Sequence, residues 1–359
     1  MGPTRLYLDH AATTPVLAEA QAAAGQAFAH WANPSSPHAD GRAARAALEQ
    51  ARAGIAEALG WRHDVILTSG ASEAIAIAAA RAKVPGRARG PTEHDAVEAA
   101  MGPTAVQLPV DADGRITTSV LESELAGGPA LAAVQHANNE TGVIQPLDAI
   151  AQIVREAGSL LLADCAQTAG KLPLPQADFI AVSAHKLGGP PGMGALLVRD
   201  IATLAPSGGQ EKGYRRGTEN VPAAAGFAAA LHSRAFVEAM PRLAELRARL
   251  DDAIVAAGGT VVAGASERIA TIGAYAMPSV SSASQLVQFD LSGIAVSAGS
   301  ACTSGSMKPS RVLAAMGVAA DVAGSAIRVS FGPQTTSGDV DRFLHEWRRI
   351  AEAAGSRTA

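Results

Sequence analysis

The sequence predicts an α/β protein whose larger part is built on a mostly parallel sheet, with a smaller α+β part towards the C-terminus. Three observations carry this. The chain has 359 residues, 48% of them hydrophobic and only 17% charged, a composition that supports a sizeable core and argues against disorder. The first two-thirds alternates short apolar runs with helical stretches, the pattern of βαβ units in a sheet covered on both faces. After Pro222 that alternation gives way to a long helical stretch and then to shorter strand and helix signals.

The elements follow in order. Residues 22–29 are alanine-rich, broken by Gly25 and Gln26, and read as helix. Val65-Ile66-Leu67-Thr68 reads as a strand and residues 72–82 as the helix after it. Residues 83–91 (KVPGRARGP) read as a Gly/Pro/Arg loop with no strand signal. Residues 130–135 are a strand, 147–157 a helix, 160–163 a strand, and 179–183 and 195–198 two more strands. A helical stretch over 222–257 is expected to be interrupted near Pro241. The division expected is a large domain over 15–237 and a small one from 238–359, with 1–14 folded onto it. In such sheets ligands bind at the carboxyl ends of the strands.

Several function classes fall away. The net charge of -4 comes with no basic stripe carrying aromatics, so nucleic acid is not an expected partner. The start lacks a basic stretch followed by an apolar run, and no apolar run is long enough to span a bilayer, so the expected setting is cytoplasmic. Two cysteines, Cys165 and Cys302, make neither a disulfide framework nor a zinc pattern. A Walker pattern is absent.

The lysines are few: Lys83, Lys171, Lys186, Lys212 and Lys308. A Schiff-base lysine belongs at the end of a buried strand, where burial lowers its pKa. Only Lys186 directly follows an apolar strand, in Ser183-Ala184-His185-Lys186, with a Gly/Pro-rich turn after it; a surface lysine at a turn is the plain alternative. Asp164 lies just past the strand over 160–163. It reads either as a turn or capping residue or as the carboxylate that keeps a pyridine nitrogen protonated. Gln167 stands three residues on. Ser69-Gly70-Ala71-Ser72 joins a strand to a helix, and the free N–H groups of such a helix start suit a phosphate, although a serine there is often only a cap. Ser183 and His185 read as candidates for further phosphate donors. Asn138-Asn139-Glu140-Thr141-Gly142 follows a strand, and His94 stands in Thr92-Glu93-His94. Arg328, in Ile327-Arg328-Val329-Ser330, is either a buried ion-pair partner or a two-pronged clamp for a substrate carboxylate. Cys302 sits in the small, polar stretch Gly299-Ser300-Ala301-Cys302-Thr303-Ser304, suited to an exposed thiol. Cys165 reads as packing.

Together with Tyr7-Leu8-Asp9-His10-Ala11-Ala12-Thr13-Thr14-Pro15, Asn33-Pro34-Ser35-Ser36-Pro37-His38 and Arg216-Gly217-Thr218-Glu219-Asn220, these motifs span nearly the whole chain. The chain resembles the NifS/IscS-type cysteine desulfurases, class V aminotransferases within the fold-type-I enzymes of pyridoxal 5'-phosphate (PLP). The resemblance implies PLP anchored on Lys186, with Asp164 on its pyridine nitrogen and His94 stacked on its ring as a catalytic residue. It implies Gln167 and Asn139 beside the ring oxygen, and Ala71, Ser72, Ser183 and His185 on the phosphate. Thr218 is implied to reach the phosphate of a second subunit in a homodimer. Asn33, Asn139 and Arg328 are implied near the L-cysteine substrate, and Cys302 as the thiol that takes its sulfur as a persulfide for an Fe–S scaffold or sulfur-carrier protein. A selenocysteine lyase keeps the same fold with another substrate, and an inactive scaffold keeps the fold without chemistry.

Overall fold

The computed structural model describes residues 5–299 and 310–358. Its large sheet has seven strands. To name them in chain order, β1 is Leu6–Tyr7, β2 Asp64–Thr68, β3 Gly86–Arg89, β4 Val106–Gln107, β5 Ala130–Gln135 and β6 Leu160–Asp164. They continue as β7 Phe179–Ser183, β8 Gly194–Val198, β9 Thr260–Val261, β10 Ile272–Ala276, β11 Ile294–Ala295 and β12 Ala326–Ser330. The large sheet runs β2-β8-β7-β6-β5-β3-β4; all its neighbours pair in parallel except β8, which is antiparallel to both β2 and β7. Strands β5, β7 and β8 are buried at every residue, as a sheet covered on both faces demands.

One face of that sheet packs against helices Ala39–Ala58, Leu147–Glu156 and Val221–His232 through Leu48, Ile55, Ile150, Val154 and Phe227. The other packs against helices Ala71–Arg81 and Asp95–Met101 through Ile75, Ala78, Val97 and Met101. The C-terminal part carries an antiparallel sheet, β12-β10-β9. Its core holds Tyr275, Phe289, Phe343 and Trp347, with the Phe289 and Phe343 rings stacked at 5.0 Å. Burying an aromatic of this size contributes about 2–3 kcal/mol. The N-terminal segment joins this part: β1 pairs in parallel with β11, and Asp9 bridges to Ser330. Among the described residues no helix is long and apolar enough to cross a membrane.

Two sequence expectations need correction. Residues 83–91 are not all loop, because β3 runs through them between β5 and β4. Its Gly-Arg-Ala-Arg sequence lacks β-branched residues, but glycine is required where a Cβ at Gly86 would lie 2.9 Å from Ala130 Cβ. The arginines find local partners, although Arg89 Nε is buried without one among the described residues. Arg87 donates to the carbonyls of Ala79, Val84 and Gly86 at 2.7–2.8 Å, and Arg89 pairs with Glu98. The long C-terminal helical stretch breaks at Ser233-Arg234, where Arg234 has φ 54°, and not near Pro241, which sits inside helix Ala235–Ala256.

Candidate active site

A cavity of about 820 Å³ opens at the carboxyl ends of β5, β6 and β7, and residues from the N-terminal segment and β12 close its other side. The structure brings Ala71, Ser72, His94, Asn139, Asp164, Gln167, Ser183, His185, Lys186 and Arg328 together around it.

Lys186 follows β7 in a single 3-10 turn, Ala184–Lys186, tightened where Gly189 N–H reaches back to the Ala184 carbonyl at 2.9 Å. Its Nζ donates to the Ala11 and Ala12 carbonyls at 2.6 and 2.8 Å. Burial lowers its pKa to about 8, helped by the charge of Arg328 and opposed by Asp164 and Asp9. An amine in that range supplies a neutral nucleophile near physiological pH. Asp164 ends β6 and is buried. One oxygen accepts the Ala166 N–H at 2.9 Å, while burial raises its pKa against the opposing charges of His94 and Lys186. Gln167, also buried, donates from Nε2 to the Ala11 carbonyl at 3.0 Å. Its Oε1 has no partner among the described residues.

Ala71 and Ser72 open helix Ala71–Arg81 directly after β2. Glu73, on that first turn, accepts the Ser69 N–H at 2.5 Å and is held by Arg215 Nε at 3.2 Å, which fixes the turn. Ser183 ends β7, and His185 Nδ1 lies 3.1 Å from Thr13 Oγ1. Burial and the neighbouring lysines lower His185 to about 4, so it acts as a neutral hydrogen-bonding group at pH 7. His94 caps helix Asp95–Met101 by accepting the Ala96 N–H at 3.1 Å, and its ring is exposed to the cavity. On the opposite side Arg328 donates to the Asn139 carbonyl at 2.9 Å and to Asp9 Oδ1 at 2.8 Å. Its Nε is buried without a partner among the described residues.

The donor set fits PLP. A buried carboxyl pushed up by desolvation gains from a cationic ring nitrogen set against it. A half-buried amine of lowered pKa stands across the same cavity, a helix start offers N–H groups to a phosphate, and Gln167 Oε1 and Arg328 Nε, unpartnered among the described residues, belong to residues lining it.

Asn33 and Thr218 are not in this cavity. They line a second pocket with Phe28, Trp31 and Pro222, and Phe28 and Trp31 are 67% and 52% exposed. Cys302 lies outside the described residues. Cys165 is fully buried, and burial pushes its thiol far above the ordinary range, so it is inert packing.

Sequence reasoning missed several residues. Lys171 is 4% exposed, with its Nζ 4.6 Å from the centre of the Phe236 ring; burial and then Lys186 lower its pKa to about 7. Only the Gly170-Lys171 turn after Gln167 hinted at it. Glu93 lines the cavity at 1% exposure. Among the described residues neither oxygen meets a donor at full hydrogen-bond geometry, the Gln135 N–H giving only partial relief, and burial holds the carboxyl well above its usual range. Arg311 also lines the cavity, and nothing in its local sequence announces this.

Comparison with known proteins agrees with the geometry. The family model for aminotransferase class-V matches residues 6–343. A cysteine desulfurase from Cereibacter sphaeroides is 36% identical, with 95% of this chain and 94% of that protein covered. A NifS-like protein from Rickettsia africae shares the fold at a TM-score of 0.87 and 29% identity, covering 97% of this chain and 99% of that one. SspA, solved in complex with cysteine, aligns at a TM-score of 0.77 and 27% identity, covering 93% and 100% of the two chains. With this match over almost its whole length, the chain belongs to the class-V aminotransferase family and, within it, to the cysteine desulfurases.

Proposed function

We propose that the protein is a PLP-dependent cysteine desulfurase that converts L-cysteine to L-alanine and leaves the sulfur on Cys302 as a persulfide. The observation that carries this reading is the pairing of Lys186, an amine with pKa about 8, with the buried Asp164 in one cavity. When bound, PLP supplies an electron sink for a carbanion at the substrate Cα. Asp164 would hold the pyridine nitrogen, and Ser72, Ser183, His185 and the N–H groups at Ala71 the phosphate. His94 would lie on the ring, with Gln167 and Asn139 beside its oxygen. Lys186 would anchor the cofactor, and its amine would serve as the base for the Cα proton. Arg328 offers its fork to the substrate carboxylate. The Cys302 thiolate attacks the substrate sulfur. A sulfur–sulfur bond forms and the carbon–sulfur bond breaks, its electron pair staying on carbon, which takes a proton and gives alanine. No outside oxidant is needed.

The same reading includes a homodimer in which Thr218 reaches the partner's phosphate site, with Asn33 on the same face; the exposed Phe28 and Trp31 around them support it. It includes a division into 15–237 against 1–14 with 238–359, supported by the separate apolar clusters, and a cytoplasmic setting. An Fe–S scaffold or a sulfur carrier is the acceptor class.

The test is intact-protein mass spectrometry after brief exposure of the PLP-loaded protein to cysteine. One added sulfur, removed by reductant and mapped to the Cys302 peptide, is expected in the parent and in Cys165→Ser but not in Cys302→Ser. Sulfur on Cys165, or alanine formed undiminished by Cys302→Ser, overturns the assignment. The second outcome would favour a selenocysteine-lyase type of elimination, and no alanine at all an inactive scaffold.

A further inference from the structure

Arg311 is the first residue of the short helix Arg311–Ala315. That helix start is fixed from the large-sheet side. The cap, Ser310, is buried, accepts the Leu313 N–H at 3.0 Å and donates to Glu140 Oε2 at 2.6 Å, in the turn after β5. From this anchor the Arg311 guanidinium crosses to the segment after β3. One terminal nitrogen, Nη1, donates to the Pro91 carbonyl at 3.0 Å and to Glu98 Oε2 at 2.9 Å. The other, Nη2, donates to the Glu93 carbonyl at 2.6 Å and to Asp95 Oδ1 at 3.1 Å.

These four acceptors bracket His94 on both sides in sequence. From the opposite side the same turn is held by Gln135 and Asn138, which donate to the Thr92 carbonyl at 2.9 and 3.1 Å. Among the described residues the His94 side chain makes one hydrogen bond, the helix-cap contact with Ala96 N–H. The two carboxylate contacts are half-exposed and worth little as ion pairs. The two carbonyl contacts set the geometry. A planar fork can hold both ends of a turn at once, whereas an ammonium is a point charge on a flexible stem.

We propose that Arg311 is a positioning residue that fixes the placement of the His94 ring over the cofactor and thereby raises PLP affinity. The inference rests on the reading that PLP occupies the cavity with His94 on its ring. Arg311 acts through the backbone of residues 91–95 and needs no contact with the cofactor.

The test is a double-mutant cycle on the PLP dissociation constant, measured by titration of the apo-protein without substrate. Arg311→Ala is expected to weaken binding by roughly 10-fold, within the usual range of coupling between contacting residues. His94→Ala should weaken it by at least as much. The double variant should bind no more weakly than His94→Ala alone, because Arg311 has nothing left to position. Arg311→Lys keeps the charge and most of the stem, so it guards against a folding failure in the alanine variant, and it should recover less than half of the loss. Multiplying losses in the double variant, or an unchanged constant in both Arg311 variants, overturns the inference alone. A parent protein that does not bind PLP overturns the reading beneath it.

Discussion

The floor and the wall of the cavity are built in different ways. The floor comes from adjacent strands of one sheet: Asp164 ends β6, Ser183 ends β7, and Lys186 is three residues beyond. Each residue is placed by a local strand-to-turn event within a stretch of about 25 residues. The wall is built from far apart. Asp9 and Arg328 meet across 319 residues of sequence, and Arg311 holds a turn some 220 residues upstream. The floor's chemistry lies in groups whose charge is tuned by burial. The wall's lies in guanidinium groups that also hold protein acceptors, Asp9 and Asn139 for Arg328 and the segment after β3 for Arg311. A parallel sheet thus delivers reactive groups cheaply in sequence, whereas orientation has to be assembled from remote parts.

If the floor carries the chemistry, its substitutions have the largest effects. On the proposed mechanism, Lys186→Ala removes both the covalent anchor and the Cα base. Alanine release from cysteine should fall by about 10³-fold or more, given what positioned bases and nucleophiles contribute. Full turnover would end the distinction between floor and wall. Asp164→Asn should leave PLP bound but slow Cα proton exchange by roughly 10²-fold, because an amide cannot stabilise a protonated ring nitrogen. Exchange of the Cα proton of cysteine or alanine into heavy water, followed by NMR, reads this directly.

Lys171 lies at the seam, above Phe236 of helix Ala235–Ala256. Its native pKa of about 7 lies below its ordinary 10.5. Between those values the unfolded chain holds a proton that the native protein does not, so Lys171 makes stability rise with pH across that window. Denaturant unfolding should show Lys171→Met more stable than the parent below pH 7, by on the order of 2 kcal/mol, with the gap closing towards pH 10. A gap independent of pH would show that the amine titrates normally. For the wall, Arg328→Lys should raise KM for cysteine about 10-fold with a smaller change in kcat, as expected when a two-pronged carboxylate contact is lost. A fall in kcat at unchanged KM would move Arg328 to the chemistry of the floor.

The same contrast explains what could be read in the sequence. The runs at 65–68, 130–135, 160–163 and 179–183 are apolar because both sheet faces are covered, and residues after such runs mark the floor. Lys186 and Asp164 were therefore legible without a structure. Strand β3 was not, because its arginines are neutralised by carbonyls and by Glu98, which a pattern of residue types does not reveal. The break at Arg234 was hidden because Pro241 is the more conspicuous signal, yet a helix tolerates it here. Lys171 follows no apolar strand and so carries no strand-end signal in the sequence, whereas tertiary packing against Phe236 buries it. Arg311 depends wholly on a partner segment that folds elsewhere.

The parallel pairing of β1 with β11, and of Asp9 with Ser330, has a consequence for synthesis on the ribosome. The first segment to emerge has its partners among the last to be made. The large sheet, complete once β8 is out, can assemble while Leu6 to Asp9 still have no strand to join. The carbonyls of Ala11 and Ala12 that receive Lys186 belong to that waiting segment. A nascent chain therefore carries its floor before its wall. The two carbonyl acceptors of the Lys186 amine are thus the first of its partners to be synthesised and among the last to be fixed in place.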